Sequence, residues 1–270
     1  MTKKQILLRR VAVALTAALL CVLAVLLAEV DRAPEPTEPA ATLPPNRYAP
    51  GDFYYRGDFL ACSAGETVTG IDVSYHQGEI DWHQVKDAGV EFVMIRLGNR
   101  GTVSGSLGTD IRAKENLAGA RAAGLKVGAY FYSQAVTMAE AKEEAALALE
   151  ILDGFPLDLP LAYDWEREQR TQQVDRRTLT DCTLAFCGAV EAAGYRPMVY
   201  FNSYQAMELL YLEELTGCPW WLAMYDLTTE FPYRMDMWQY TCTGTVPGIA
   251  GSVDVNLLFP DGLVDAFRPD

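Results

Sequence analysis

Residues 160–166 read PLAYDWE, an apolar run ending in two carboxylates, Asp164 and Glu166, one residue apart. Alternate side chains of a β-strand share a face, so the two acids point the same way. Crowded at the end of an apolar strand, each disfavours the other's ionisation while the surroundings desolvate both. One carboxyl then keeps its proton near neutral pH, which is what a general acid requires. The heptapeptide alone also reads as an acidic pair on a solvated loop.

The elements around the pair place it. From about residue 67 onward, short β-branched and aromatic runs alternate with helical patterns, the signature of repeated βα units. Eight strands are predicted, at 70–73, 92–97, 127–132, 161–164, 198–201, 220–224, 237–240 and 253–257. Helices are predicted at 82–88, 111–123, 138–152, 177–193 and 203–215. The gaps after the sixth and seventh strands are too short for a full helix. The expected fold is therefore an α/β class, irregular TIM-like (β/α) barrel of about eight strands, with helices missing and an antiparallel strand in its C-terminal third.

In such barrels the site forms at the C-terminal strand ends. Asp72 ends the first predicted strand, Asp164 and Glu166 the fourth, and the eighth contains Asp254 and Asn256. Tyr130, Tyr132, Tyr200, Tyr225, Trp238, Gln239 and Tyr240 lie at or near the ends of others, where aromatic faces suit sugar rings. Six of these residues are taken as candidate substrate contacts: Tyr130, Tyr132, Tyr200, Tyr225, Gln239 and Asn256.

These residues, in this order, resemble the lysozyme-type muramidases of glycoside hydrolase family twenty-five. The resemblance spans 70–259 and includes GIDVSYHQGEIDW, FVMIRLG, VGAYFYSQA, the DWE strand, GYRPMVYFN, WWLAMY and MWQYTCTGTVPGIAGSVDVNLL. It implies retaining hydrolysis of the β-1,4 bond between N-acetylmuramic acid and N-acetylglucosamine in peptidoglycan. Glu166 would be the general acid and then the base. Asp164 would orient the substrate's 2-acetamido group as an internal nucleophile, direct carboxylate attack being the competing mechanism. Asp72 and Asp254 match the family's other two acids, expected to hold the protonation states of the pair apart and to bind hydroxyls. The run 96–101, RLGNRG, departs from the familiar Lys-Ala-Thr-Glu-Gly pattern and is expected to form a loop lining the cleft. Two other readings stand beside this one: a catalytically silent wall-binding module, and a hydrolase of another N-acetylated glycan such as chitin.

The chain has 270 residues, 50% of them hydrophobic, enough for one barrel core. Lys3, Lys4, Arg9 and Arg10 precede an 18-residue apolar stretch at 11–28. That length crosses a bilayer, and the basic side stays in the cytoplasm. Residues 1–32 are therefore expected to be a cytoplasmic tip and uncleaved signal anchor, a cleaved signal peptide being the alternative. Residues 33–50 carry six prolines and read as an extended spacer, with 33–66 the spacer and lead-in and 67–270 the catalytic domain. The expected location is the cell membrane, single-pass, with the catalytic domain outside.

The formal net charge is −14, and it falls to −17 once the five basic and two acidic residues of 1–32 are set aside. Such a surface repels polyanions, so nucleic-acid binding is excluded. The expected partners are peptidoglycan strands and, through the first helix, the membrane; the expected state is a monomer. No cofactor or metal is expected, since the cysteines lack paired spacing and only His76 and His83 are available. No wall-binding repeat is read after the barrel, so capture is expected to rest on the cleft. Cys182 and Cys187 lie too far apart along one helix for a disulfide, and Cys218 and Cys242 are expected at opposite barrel ends. The acidic tract at 140–150 is expected to be a solvated helix face.

Overall fold

The computed structural model describes residues 42–260, which belong to one compact unit. The anchor expected at 1–32 lies outside the described residues. Among those described, no helix is long and apolar enough to cross a membrane.

The strands are β1 (Phe53–Arg56), β2 (Phe59–Cys62), β3 (Val68–Val73), β4 (Phe92–Arg100), β5 (Leu107–Thr109), β6 (Lys126–Ser133), β7 (Leu161–Trp165), β8 (Pro197–Asn202), β9 (Trp220–Ala223), β10 (Met237–Gly244) and β11 (Val253–Leu258). The α-helices are α1 (Trp82–Asp87), α2 (Ala113–Ala122), α3 (Met138–Leu152) and α4 (Arg176–Ala192). Three begin at side-chain caps that satisfy otherwise orphan backbone donors. Asp81 accepts from His83 and Gln84, Thr137 from Glu140, and Asp175 from Thr178.

The sheet runs β3-β11-β10-β9-β8-β7-β6-β4-β5, and β3 also pairs with β4, so eight strands close into a barrel with β5 appended. Every pairing around the barrel from β3 through β4 to β10 is parallel. β11 alone is reversed, antiparallel to β10 and β3. The expected barrel, with its antiparallel strand in the C-terminal third, is the one observed.

Alternation along the strands builds two cores. Phe92, Met94, Met198, Trp221, Met237 and Leu258 fill the barrel interior. Val93, Ile95, Val127, Val199 and Leu222 face outward into the layer beneath the helices. The barrel is narrow enough that Gly70, the register partner of Phe92, has no room for a methyl group: a Cβ would overlap the Phe92 ring.

The outer faces of β10 and β11 lack a covering helix, and the chain's own lead-in covers them. Phe53 of the β1–β2 hairpin meets Trp238 edge-on at 5.0 Å, and the Leu60 amide donates to Tyr240 Oη at 3.2 Å. Tyr48 stacks on Phe259 at 4.4 Å, and Pro45 bridges to Tyr233. Residues 33–41 of the expected spacer lie outside the described residues; of the remainder, Leu43 and Tyr48 pack partly buried against the core while residues 45, 47, 49 and 50 stay exposed, so this stretch lies on the barrel rather than standing off it. The prolines misled because they suit an edge segment that lies on a barrel as well as they suit a free linker.

The predicted helix at 203–215 is instead a π turn, Gln205–Leu209, followed by a 3-10 turn, Leu212–Glu214. Gln205 reaches Trp165 O from Nε2 at 2.6 Å, and its Oε1 takes the Asn202 amide at 2.8 Å. Those strand-end contacts widen the first turn, and extended Leu210 ends it. The Leu210 carbonyl is taken by Arg176 instead.

The acidic tract on α3 divides. Glu143 is exposed, but Glu144 has no exposed surface. It pairs with Arg100 Nε at 2.8 Å and accepts from Ser133 Oγ at 2.6 Å. The solvated-face expectation fails there because Arg100, four residues beyond Arg96, carries a cation under the helix. The run expected to be a loop at 96–101 is mostly strand: β4 continues to Arg100, and a register irregularity between Arg96 and Gly98 leaves Arg96 facing the mouth and Arg100 facing α3.

The five described cysteines are free thiols. Cys187 on α4 hydrogen-bonds Cys218, a contact that sequence spacing did not signal.

Candidate active site

A cleft of about 200 Å³ opens at the C-terminal strand ends, lined by Asp72, Arg96, Tyr130, Tyr132, Asp164, Glu166, Tyr200, Trp221, Tyr225, Gln239 and Asp254 among others. A roomier groove of about 650 Å³, lined by Leu184, Cys187, Glu191, Arg196 and Cys218, lacks the buried facing acids that make the mouth chemically distinct.

Strand alternation puts Asp164 and Glu166 on the cleft face of β7 and its exit, as expected, while Tyr163 and Trp165 face outward. The segment carrying Glu166 is fixed from behind. Gln134 Nε2 donates to Glu166 O at 2.8 Å, Thr171 Oγ1 does so at 3.0 Å, and Trp165 Nε1 donates to Ala135 O at 2.9 Å. Asp254 comes from the start of β11. Because that strand is reversed, its beginning lies among the ends of the others, directly across from Asp72.

Asp72 and Asp254 share a hydrogen bond. Asp72 Oδ2 also accepts from Gln239 Nε2 and Asn256 Nδ2, each at 2.8 Å. Both amides are held in turn. Tyr200 and Tyr225 hydroxyls donate to Gln239 Oε1 at 3.1 and 3.0 Å, and Trp221 Nε1 donates to Asn256 Oδ1 at 2.8 Å. Burial pushes the Asp72 carboxyl well up, the Asp254 charge pushes the same way, and the two amides oppose it. Burial also raises Asp254, which accepts the bond from Asp72. Within the pair Asp72 has the greater proton affinity, because the bond between them raises Asp72 and lowers Asp254.

Burial raises Asp164 well above the usual carboxylate range, with Glu166 and Asp72 adding repulsion and the Arg96 charge opposing it. Its Oδ1 is buried with no hydrogen-bond partner. Burial raises Glu166 as well, helped by Glu168 and Asp254, while the Tyr132 hydroxyl donates to it and opposes the rise. Asp164 and Glu166 titrate as a unit, and burial disfavours full negative charge on both. An N–H donor docked on Asp164 Oδ1 would favour ionisation there over ionisation of Glu166.

The candidate contacts separate by depth. Tyr225 is exposed and Tyr132 half-buried, both on the cleft wall. Tyr130 and Tyr200 are buried, each with its ring edge-on to Trp221, and form the floor. Gln239 lies on the floor with its amide committed to Asp72. Asn256, fully buried, lies beneath the cleft with both ends of its amide engaged, so it positions Asp72 rather than reaching solvent. Missed from sequence were Trp221, Ser74, His76 and Gln77, which also line the cleft. Trp221 was readable only as part of an apolar strand. The turn at 74–77 is set by Ser74 and Gln77 bonding each other and by Asp110 taking the Tyr75 amide at 3.0 Å. Among the described residues, no three His, Cys, Asp or Glu side chains converge as metal ligands.

Comparison with known proteins gives a consistent family of shapes and sequences. The model of glycosyl hydrolases family 25 matches residues 71–249. An autolytic lysozyme of Clostridium acetobutylicum is 29% identical over 198 residues, covering 72% of this chain and 56% of the relative. The modular autolysin LytC from Streptococcus pneumoniae superposes with a TM-score of 0.62 at 28% identity, covering 72% of this chain and 47% of that one. This chain thus spans about half the length of each of those two. A family 25 glycosyl hydrolase from Bacillus anthracis shares the fold, with a TM-score of 0.63 at 18% identity over 78% of this chain and 98% of that one.

Proposed function

The chain belongs to glycosyl hydrolases family 25, and on that footing we propose that it cleaves the β-1,4 bond between N-acetylmuramic acid and N-acetylglucosamine in peptidoglycan, with retention. The observation that carries the reading is the unequal pair at the mouth: Glu166, which touches solvent, beside Asp164, which is buried with an unpartnered oxygen. The two environments suit two different roles.

In the proposed reaction the substrate's 2-acetamido N–H donates to Asp164 Oδ1. That bond orients the acetamido oxygen toward the anomeric carbon and draws the pair's negative charge onto Asp164. Glu166 then gives its proton to the departing glycosidic oxygen, and the acetamido oxygen closes on the anomeric carbon from the opposite face. Water, deprotonated by Glu166, opens the ring in a second displacement, so configuration is retained. Asp72 and Asp254, hydrogen-bonded to each other, form the neighbouring wall, where burial disfavours two full charges. The floor aromatics Tyr130, Tyr200 and Trp221 give the sugar an apolar surface.

The test is incubation of the purified chain with peptidoglycan, followed by identification of new reducing ends and their anomeric configuration. New muramic acid reducing ends in the β configuration are expected, and Glu166→Gln should lower turnover by a factor of about 10² to 10⁴ with the fold retained. Binding without cleavage would mark a silent wall-binding module. Cleavage of chitin oligomers in preference to peptidoglycan would move the substrate to another N-acetylated glycan. The apolar stretch at 11–28 supports a location on the outer face of a cytoplasmic membrane, held there by that segment. Recovery of the protein mainly in the culture fluid, cut near residue 30, would contradict that placement.

A further inference from the structure

Among the described residues, Arg96 is the single guanidinium lining a cleft otherwise bordered by acids, hydroxyls, amides and the Trp221 indole, with His76 the only other basic side chain there. It follows Phe92 and Met94 on the inward row of β4, and its register partner across the sheet is the floor residue Tyr130. Its placement is built rather than incidental. Asp110, whose side chain has no exposed surface, takes Arg96 Nε at 2.9 Å and is itself fixed by the amides of Tyr75 and Arg112, each at 3.0 Å. The Tyr75 ring lies 5.0 Å from the guanidinium carbon. The Arg96 side chain is only 11% exposed. With Nε engaged, the edge formed by its two terminal nitrogens has no acceptor among the described residues. A guanidinium held by one edge and stacked on a ring is pre-organised to grip a carboxylate with the other.

On the reading of the cleft as a peptidoglycan hydrolase site, we propose that Arg96 recognises a carboxylate of the glycan substrate and makes an acid group on or beside the bound muramic acid a requirement for efficient cleavage. An uncharged N-acetylglucosamine polymer offers nothing to this edge. Peptidoglycan offers carboxylates from two sources: the lactyl group, once the peptide has been removed, and the peptide itself while it is attached. If the lactyl carboxylate is the one bound, an amidase-type reaction that strips the peptide has to precede this enzyme. If a peptide carboxylate is bound, the enzyme acts on strands that still carry peptides.

The experiment measures kcat and KM on four substrates: strands with peptides and strands without, each native and each with its carboxylates converted to neutral amides. The wild-type chain should prefer the native form in one of the two strand types by about tenfold, expressed in KM. The strand type showing the preference identifies the source. Arg96→Gln should reduce the ratio to near one, and Arg96→Lys should restore part of it. A wild-type ratio near one on both strand types overturns the proposal, and that measurement needs no variant. So does a loss in Arg96→Gln that is equal on native and neutralised strands and comes with a shifted pH profile, since Arg96 would then act only on the acids. Absence of cleavage of all four substrates refutes the hydrolase reading itself, an outcome distinct from failure of the Arg96 assignment.

Discussion

Replacing Glu144 with Gln is expected to erase a specific pH dependence of stability. Glu144 lies on the buried face of α3 with no exposed surface, and burial pushes its carboxyl from 4.5 up to about 7, despite the opposing bonds from Ser133 and Arg100. The folded state therefore binds the Glu144 proton more tightly than the unfolded chain does. Stability from this group is fully present below the unfolded value and is lost as pH rises through the folded one. At about 1.4 kcal/mol per pH unit, the interval from 4.5 to about 7 corresponds to about 3 kcal/mol. Glutamine keeps the shape but does not titrate. Urea unfolding of both proteins at half-unit steps from pH 4 to 8.5 isolates the effect, because other titrating groups cancel in the difference. The advantage of the parent over Glu144→Gln should shrink by about 3 kcal/mol across that range. A constant difference, or one that grows with pH, would show that the ion pair with Arg100 outweighs burial and that the reasoning is wrong. Activity supplies a second readout. Glu144 Oε1 also takes the Gln134 amide at 3.4 Å, and Gln134 holds the carbonyl of Glu166, so loosening there should lower kcat before the global fold is lost.

Because burial raises Glu166 and its proton is needed for leaving-group departure, kcat/KM should fall as pH rises through that raised value; a rate that climbs steadily to pH 9 would remove Glu166 from the role of acid. Gly70→Ala should destabilise by about 1–3 kcal/mol by forcing a methyl into the Phe92 ring, measured by urea midpoint, and a neutral result would mean the barrel interior is looser than its packing indicates. Phe53→Ala should cost about 2 kcal/mol, roughly half the cost of a fully buried phenylalanine, by uncovering Trp238, with a matching rise in Trp fluorescence quenching by acrylamide. An unchanged quenching constant would show that the hairpin does not seal that face.

Much of the site was legible because it rests on local rules. Alternation along one strand was enough to put Asp164 and Glu166 on the same face, and it put Phe92, Met94 and Arg96 on another shared face. Caps at Asp81, Thr137 and Asp175 are likewise local, and the α-helices they open fell close to their expected places. The helix expected at 203–215 failed for a non-local reason. Gln205 bonds a carbonyl on β7, forty residues away in sequence, and propensity within the segment carries no record of that partner.

What the sequence determined by itself was the order of the strands, the pair of acids, and the family motifs that link them to Asp72 and Asp254. Tertiary structure decided what each of those groups faces. Only the reversal of β11 sets Asp254 opposite Asp72, and only closure of the barrel turns Asn256 and Gln239 inward to hold Asp72. Folding also buries Glu144 against Arg100, lays residues 43–62 over β10 and β11, and leaves one edge of Arg96 open at the mouth. The physical reason is one of range. Side-chain direction follows from backbone periodicity over a few residues, whereas burial, charge pairing and proton affinity depend on groups brought together from distant parts of the chain.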